Sequence, residues 1–253
     1  MAYPENKGVR GKRMSPRVLF TIFTPTYNRA HLLSRVYRSL HEQTLREFEW
    51  IVVDDGSEDN TAAVIREWVS EADFRITYQY QQNSGKHVAI NRGVAMARGE
   101  YFVILDDDDW LHPTALERML RQWEAMSADE KPHFAGVVGL YAYKDGAVVG
   151  TRFPCDVIDS NPVEIRTRYR VGGDKFGVHR TEVLRNYPFP EDIGKFVPES
   201  LVWNRIALHF KQRYVNEIFA YTEYQPEGLS ARSVALRSRY PMAARICYRE
   251  FES

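Results

Sequence analysis

The amino-acid sequence predicts an α/β domain with a mostly parallel central sheet flanked by helices, and three observations predict it. Strand-like and helix-like apolar patterns alternate four times between residues 18 and 105. The stretches between the strands are long enough to be helical crossovers, which parallel neighbours require. Each strand-like run also stops at a polar cluster, as at the carboxyl edge of an open sheet where ligands bind.

The elements follow in order. Residues 18–24 form an apolar run that reads as a buried strand, expected to end at Pro25. Residues 29–44 carry Leu32, Leu33, Val36, Tyr37 and Leu40 at helical spacing. Residues 49–53 are a second strand, closed by Asp54-Asp-Gly-Ser57. The next helix shows Val64, Ile65, Trp68 and Val69 on one face, with Asn60 and Thr61 reading as its N-cap and Asn28 as a second candidate cap. Residues 76–80 alternate like a strand and end at Asn83-Ser-Gly85; residues 88–97 are helical in pattern; residues 101–105 are the fourth strand. Pro113 suits the first turn of a helix with Leu116, Met119, Leu120 and Trp123 on its apolar face. Strands at 134–143 and 147–153 are expected to form a hairpin about Lys144-Asp-Gly146. Residues 156–196 read as loop-rich and 199–210 as helical, so one domain combines a regular half with an irregular one.

Composition excludes several classes. Among 253 residues, 34 Lys and Arg balance 34 Asp and Glu, so no net field argues for nucleic acid. No run reaches the roughly 18 apolar residues of a membrane span, and no signal-peptide core is visible. Two cysteines, Cys155 and Cys247, lack metal-ligand spacing and suit a reducing compartment, so the expected location is cytoplasmic. Charge clusters at the ends: Lys7, Arg10, Lys12, Arg13 and Arg17 in front, Arg232, Arg237, Arg239, Arg245 and Arg249 behind. These runs fit a disordered leader and a solvated helix face, or attraction to the anionic cytoplasmic face of a membrane.

The strongest chemical feature is Asp106-Asp-Asp-Asp109, directly after a buried strand. Adjacent carboxylates repel unless a cation or a positive partner is near, and hard divalent metals suit oxygen ligands. The alternative is a solvated acidic turn. Three further clusters, Thr24-Pro-Thr-Tyr-Asn-Arg29, Asp54-Asp-Gly-Ser57 and Asn83-Ser-Gly-Lys86, converge on the same expected edge and point to a ligand site there. The dinucleotide glycine fingerprint, the P-loop and the calcium-loop glycine are all missing. Ser57 lacks a partnered His and Asp pattern, which leaves hydrolase chemistry unsupported. His87, His112 and His179 lack metal spacing and read as surface or core histidines; Trp110 suits packing or a sugar platform.

Taken together, Thr24-Pro-Thr-Tyr-Asn-Arg29, Val52-Val-Asp-Asp-Gly-Ser-Glu-Asp-Asn-Thr61, Asn83-x-Gly-x-x-x-Ala-x-Asn-x-Gly93, Ala97-x-Gly-Glu-Tyr101 and Leu105-Asp-x-Asp-Asp109 resemble the family 2 glycosyltransferases of the GT-A fold. The resemblance implies a single GT-A-type domain with an irregular acceptor-side C-terminal half. It also implies an inverting, metal-dependent hexosyltransferase-type enzyme, the alternatives being a nucleotide-sugar-binding module without catalysis or a metal-dependent nucleotidyltransferase. Its donor would be a nucleotide diphosphate sugar, usually a UDP-sugar, its cofactor Mn²⁺ or Mg²⁺, and its acceptor a carbohydrate or glycolipid hydroxyl. Residues 17–112 would form the nucleotide-sugar-binding half and 113–230 the acceptor-binding half. Residues 1–16 would be a basic leader and 231–253 a basic helical segment.

Residue by residue, the resemblance implies Thr24, Pro25, Thr26 and Tyr27 as the wall of the base pocket. Asp54 or Asp55 would accept the uracil imino hydrogen bond, and Lys86 would approach the base or diphosphate. Asp106 and Asp107 fall on the donor side, Asp108 towards the metal, and Asp109 as a supporting or sugar contact. For the base that takes the acceptor's proton, Pro198-Glu-Ser-Leu-Val-Trp-Asn-Arg205 offers Glu199 and Pro190-Glu-Asp192 offers Asp192. Glu199 is favoured because its context is helical. Trp203 and Asp174, in the Gly172-Gly-Asp-Lys175 loop or turn, are expected on the acceptor side.

Overall fold

The computed structural model describes residues 17–223, 225 and 233–252; the expected leader over 1–16 and Arg232 lie outside the described residues. The regular half is β1 (Phe20–Thr26), α1 (Ala30–His41), β2 (Phe48–Asp54), α2 (Thr61–Glu71), β3 (Arg75–Tyr80), α3 (Lys86–Met96) and β4 (Tyr101–Ile104). The second half is β5 (Asp109–Leu111), α4 (Ala115–Glu124), β6 (Phe134–Tyr143), β7 (Val157–Ser160), α5 (Pro162–Thr167), β8 (Lys175–Arg180), α6 (Thr181–Asn186), α7 (Ser200–Ala207), β9 (Lys211–Thr222), α8 (Ser233–Arg239) and α9 (Pro241–Glu252). All strands join one sheet in the order β3-β2-β1-β4-β8-β6-β9-β5, with β7 on β9. The first four are mutually parallel, and β8 then adds antiparallel to β4. β6 runs antiparallel to β8 and parallel to β9. The fold is therefore a mixed α/β single domain with a helix-flanked sheet, as the sequence predicts.

Alternation along the strands sorts the core into two layers. Phe20 and Ile22 of β1 face a layer closed by Leu33 and Val36 of α1, Ile65 of α2 and Met119 of α4. Phe23 faces the opposite layer, with Ala89 and Ile90 of α3, Val183 of α6, Leu201 and Val202 of α7, and Ala243 of α9. Hence α3 and α7, distant in sequence, share one face of the sheet. A third cluster, with Phe153, Ile165 and Tyr214, lies around β7 and α5. His87 and His179 are core residues.

Several expectations need correcting. Pro25 does not end β1: its position pairs with Val53, and the strand runs to Thr26. The turn at Gly146 forms, with φ +85°, but its second arm is only a bridge between Ala142 and Val148, because β6 finds longer partners in β8 and β9. The stretch 156–196 contains β7, α5, β8 and α6 rather than loop alone. Pro113 precedes α4, whose cap position is Thr114. Asn60 caps α2 by position only. Asp59 is the side chain that bonds the Thr61 N–H, and its other oxygen accepts the Ala30 N–H.

Candidate active site

The carboxyl ends of β1, β2 and β4 converge with the loop before α3, and the polar clusters meet there. Asp54 and Asp55 organise the β2 end. Asp54 accepts the Ser57 N–H at 2.7 Å and the Tyr78 hydroxyl at 2.7 Å. Asp55 accepts Gln81 Nε2, the Ser84 N–H and the Gly85 N–H at 2.7, 2.7 and 2.9 Å. Ser57 Oγ takes the Asn28 N–H, so this serine ties two loops together. Gly85, with φ +103°, leads into α3, and a Cβ there would lie 2.3 Å from the Lys195 carbonyl oxygen. Only glycine suits both constraints.

The four aspartates diverge. Asp107 turns inward: Thr26 Oγ1 and Arg29 Nη1 donate to its two oxygens at 2.9 Å each. Its expected donor contact is thus corrected, because the side chain points at the end of β1 and its oxygens do not join those of Asp106, Asp108 and Asp109. Burial raises its pKa to about 6 against the opposing pull of Arg29. Arg29 also reaches Asp108 Oδ2 at 3.1 Å. Asp109 is buried and accepts the Tyr141 hydroxyl at 2.7 Å. Burial and then Asp106 push its pKa upward. Asp106, Asp108 and Asp109 each bring one carboxylate oxygen within 4.8 Å of the others. Asp106 Oδ1 is buried, with the Lys86 ammonium 2.7 Å away as its neighbour. Three convergent hard carboxylate oxygens fit Mg²⁺ or Mn²⁺. A cation there would offset the repulsion from Asp106 that, after burial, raises Asp108 and Asp109.

Lys86 opens α3 beside them. Its Nζ lies 2.7 Å from each oxygen of Asp106 and 2.8 Å from Glu199 Oε1. Burial opposes its charge, but Asp106 and Glu199 outweigh burial and raise its pKa. Glu199 occupies the cap position of α7 without capping it, so its side chain is free to reach Lys86. Asp192 is exposed and is not bonded to Lys86 or to the aspartates.

The remaining candidates separate. Thr24 is fully buried and its Oγ1 accepts the Trp50 indole N–H at 3.0 Å, which removes it from the base-pocket wall. Pro25 and Thr26 are buried at the strand end, while Tyr27 is 48% exposed at the rim. Trp203 stacks on His179, ring centroids 4.6 Å apart, so its ring packs α7 onto β8 rather than facing an acceptor. Asp174 is exposed and directly precedes β8, which runs antiparallel to β4 and so starts at the edge where β4 ends. Trp110 packs on Tyr221 beneath Arg35. The sequence reading gave no role to Tyr141, Arg29 or Asn91. Asn91 grips the Phe189 backbone N–H and C=O at 2.9 and 2.8 Å. A cavity of about 440 Å³ opens at the opposite edge, lined by Val18, Arg98, Arg180 and Arg185 among others. The convergent carboxylates and the Lys86 cluster lie at the carboxyl edge instead, and chemistry outranks size.

An α/β sheet of this topology with an aspartate cluster beyond β4 defines a GT-A-type glycosyltransferase fold. The sequence profile described as "Glycosyl transferase family 2" matches residues 21–152, and the chain belongs to that family. It is 34% identical over 109 residues to glycosyltransferase GlyA of Streptococcus pneumoniae, covering 43% of this chain and 16% of that protein. It is 27% identical over 204 residues to the GalNAc(5)-diNAcBac-PP-undecaprenol beta-1,3-glucosyltransferase of Campylobacter jejuni, covering 79% and 62%. The chain thus spans less than two thirds of either relative's length. Among solved structures it is similar to S. aureus TarS 1-349 in complex with UDP-GlcNAc (TM-score 0.66, 22% identity, covering 85% of this chain and 61% of that one). It is also similar to mannosyltransferase PcManGT from Pyrobaculum calidifontis in complex with GDP-Man and Mn²⁺ (0.65, 21%, 94% and 67%).

Proposed function

We propose that this chain is an inverting, metal-dependent glycosyltransferase that moves a sugar from a nucleotide diphosphate donor, a UDP-sugar, to a carbohydrate or glycolipid hydroxyl. The observation that carries the reading is the meeting of the Asp106, Asp108 and Asp109 oxygens with Lys86 and Glu199 at one sheet edge. A donor-binding module without catalysis would not need an acid there. UDP is also bound by the TarS structure, whereas PcManGT holds GDP-Man.

Tyr27, with Pro25 and Thr26 behind it, would flank the base. Asp54 suits the uracil imino group better than Asp55, because protein donors take two of its roughly four acceptor positions against three on Asp55. Asp106, Asp108 and Asp109 would hold Mn²⁺ or Mg²⁺, which when bound would supply Lewis-acid charge for the departing diphosphate. Glu199 takes the acceptor hydroxyl's proton as its oxygen bonds the anomeric carbon. The bond from that carbon to the phosphate oxygen breaks, its electron pair leaves with the nucleoside diphosphate, and the anomeric configuration inverts.

The working location would be the cytoplasm. The exposed Arg237, Arg239, Arg245 and Arg249 of α8 and α9 would favour peripheral contact with anionic lipid. No helix among the described residues is long and apolar enough to cross a membrane.

The test is nucleotide release from a panel of UDP- and GDP-sugars, with candidate acceptors, by wild type, Glu199→Gln and Asp192→Asn. Glu199→Gln should lose about 10²–10⁴-fold in rate, the usual share of a general base. A dead Asp192→Asn beside an active Glu199→Gln would move the base to Asp192.

A further inference from the structure

Lys86 stands where the two halves of the site meet. Its ammonium is bonded to Asp106, on the donor side, and to Glu199, on the α7 side, at 2.7 and 2.8 Å. Ammonium offers three N–H donors, and these two carboxylates already engage them, leaving little for a diphosphate.

The backbone on both sides is fixed. Gly85, just before Lys86, donates its N–H to Asp55, and its Cα lies against the Lys195 carbonyl of the segment leading to α7. One turn further along α3, Asn91 holds Phe189 of the same segment through both of its backbone groups. Glu199, by contrast, has no capping bond to its own helix to fix its side chain. Its torsions are therefore set across the gap between α3 and α7, by the Lys86 ammonium.

We infer that Lys86 is the positioning residue for the base: it fixes the Glu199 carboxylate relative to Asp106, so that the proton acceptor is held in register with the donor. This role rests on the reading of Glu199 as the base. A carboxylate free to rotate would spend most of its time away from the acceptor hydroxyl, and a displacement of about 1 Å can cost roughly 10²-fold in rate.

Residues that act through one another are not additive, and a mutant cycle reads that directly. The variants are Lys86→Met, Glu199→Gln and the double variant, with Lys86→Arg as the conservative control. Nucleotide release is measured from UDP-N-acetylglucosamine, UDP-glucose and GDP-mannose with water as acceptor. Binding of UDP and GDP with Mn²⁺ is measured by calorimetry. Lys86→Met should lower kcat by about 10²-fold with KM for the sugar nucleotide within about 3-fold. In the Glu199→Gln background the same change should cost less than about 3-fold, and Lys86→Arg should recover part of the wild-type rate. Calorimetric affinity should stay within about 3-fold.

If Lys86→Met costs as much in the Glu199→Gln background as in wild type, Lys86 does not act through Glu199. A rise of about 10-fold or more in KM or Kd with kcat intact would make Lys86 a diphosphate ligand instead. A fully active Glu199→Gln would remove the base assignment and this role together, whereas a slowed but measurable Glu199→Gln with additive Lys86→Met overturns the Lys86 role alone. Thermal unfolding checks that each variant is folded. Lys86→Gln, which keeps a hydrogen-bond donor, replaces Lys86→Met if the latter does not fold.

Discussion

Asn91→Ala should loosen the whole α7 side of the site without touching any charged group in it. The Asn91 side chain makes three bonds: Nδ2 to the Phe189 carbonyl at 2.8 Å, Nδ2 to Glu191 Oε1 at 2.8 Å, and Oδ1 from the Phe189 N–H at 2.9 Å. The Glu191 bond is exposed and should contribute little. The two backbone bonds are worth about 0.5–1.5 kcal/mol each, and a buried group left without a partner adds about 1–3. A loss of about 2–4 kcal/mol follows, or roughly 5–15 °C in Tm for a chain of this size. Phe189 is buried and meets the Trp203 ring edge-on, centroids 6.0 Å apart, so the slack is passed to the helix headed by Glu199. Urea unfolding followed by far-UV circular dichroism measures the stability, and Glu191→Ala, which removes only the exposed bond, should cost under about 0.5 kcal/mol. Asn91→Ala within about 0.5 kcal/mol of wild type would show that the segment is held by something else.

Three further outcomes follow from the same geometry. His179 is buried against Trp203 and its pKa is lowered by burial from 6.5 to about 4, so the unfolded chain binds the extra proton first and stability falls as pH drops from about 6.5 to 4. The loss reaches about 3 kcal/mol; His179→Phe should flatten that part of the pH–stability curve, and an unchanged slope would refute the assignment. Asp54→Ala should weaken UDP binding by about 1.5–3 kcal/mol and CDP binding much less, because only uracil offers the imino donor; equal losses in calorimetry would count against Asp54. Gly85→Ala combines φ +103° with a Cβ 2.3 Å from the Lys195 carbonyl oxygen and should cost about 1–3 kcal/mol or more; a neutral Tm would contradict it.

The regular half was legible because β1, β2 and β4 are buried on both faces and read as largely apolar runs, with helical spacing between them. β9 escaped notice because Asn216 and Glu217 interrupt its apolar residues. Glu217 is answered by Arg118 and Arg121, and shifts in the β6–β9 register break a clean alternation. β8 was missed because a six-residue strand carrying a glycine and a histidine resembles a loop. The expected hairpin arm failed for a related reason: pairing with strands distant in sequence won over the adjacent segment. In the site, four adjacent aspartates give no sign of which one turns inward, and that is decided by Thr26 and Arg29 at the end of β1. Thr24 looked available because strand direction alone does not reveal that its face meets Trp50. The link from Lys86 to Glu199 depends on α3 and α7 sharing a face, which the sequence does not state.

Calorimetric titration of UDP and GDP into the protein, with Mn²⁺ and again with EDTA, tests the donor site most directly. The expected result is binding of one nucleotide that needs the metal and is lost in a folded Asp108→Asn variant. Binding of equal strength with EDTA, or unchanged Mn²⁺ dependence in Asp108→Asn, would contradict a carboxylate-held metal at the end of β4.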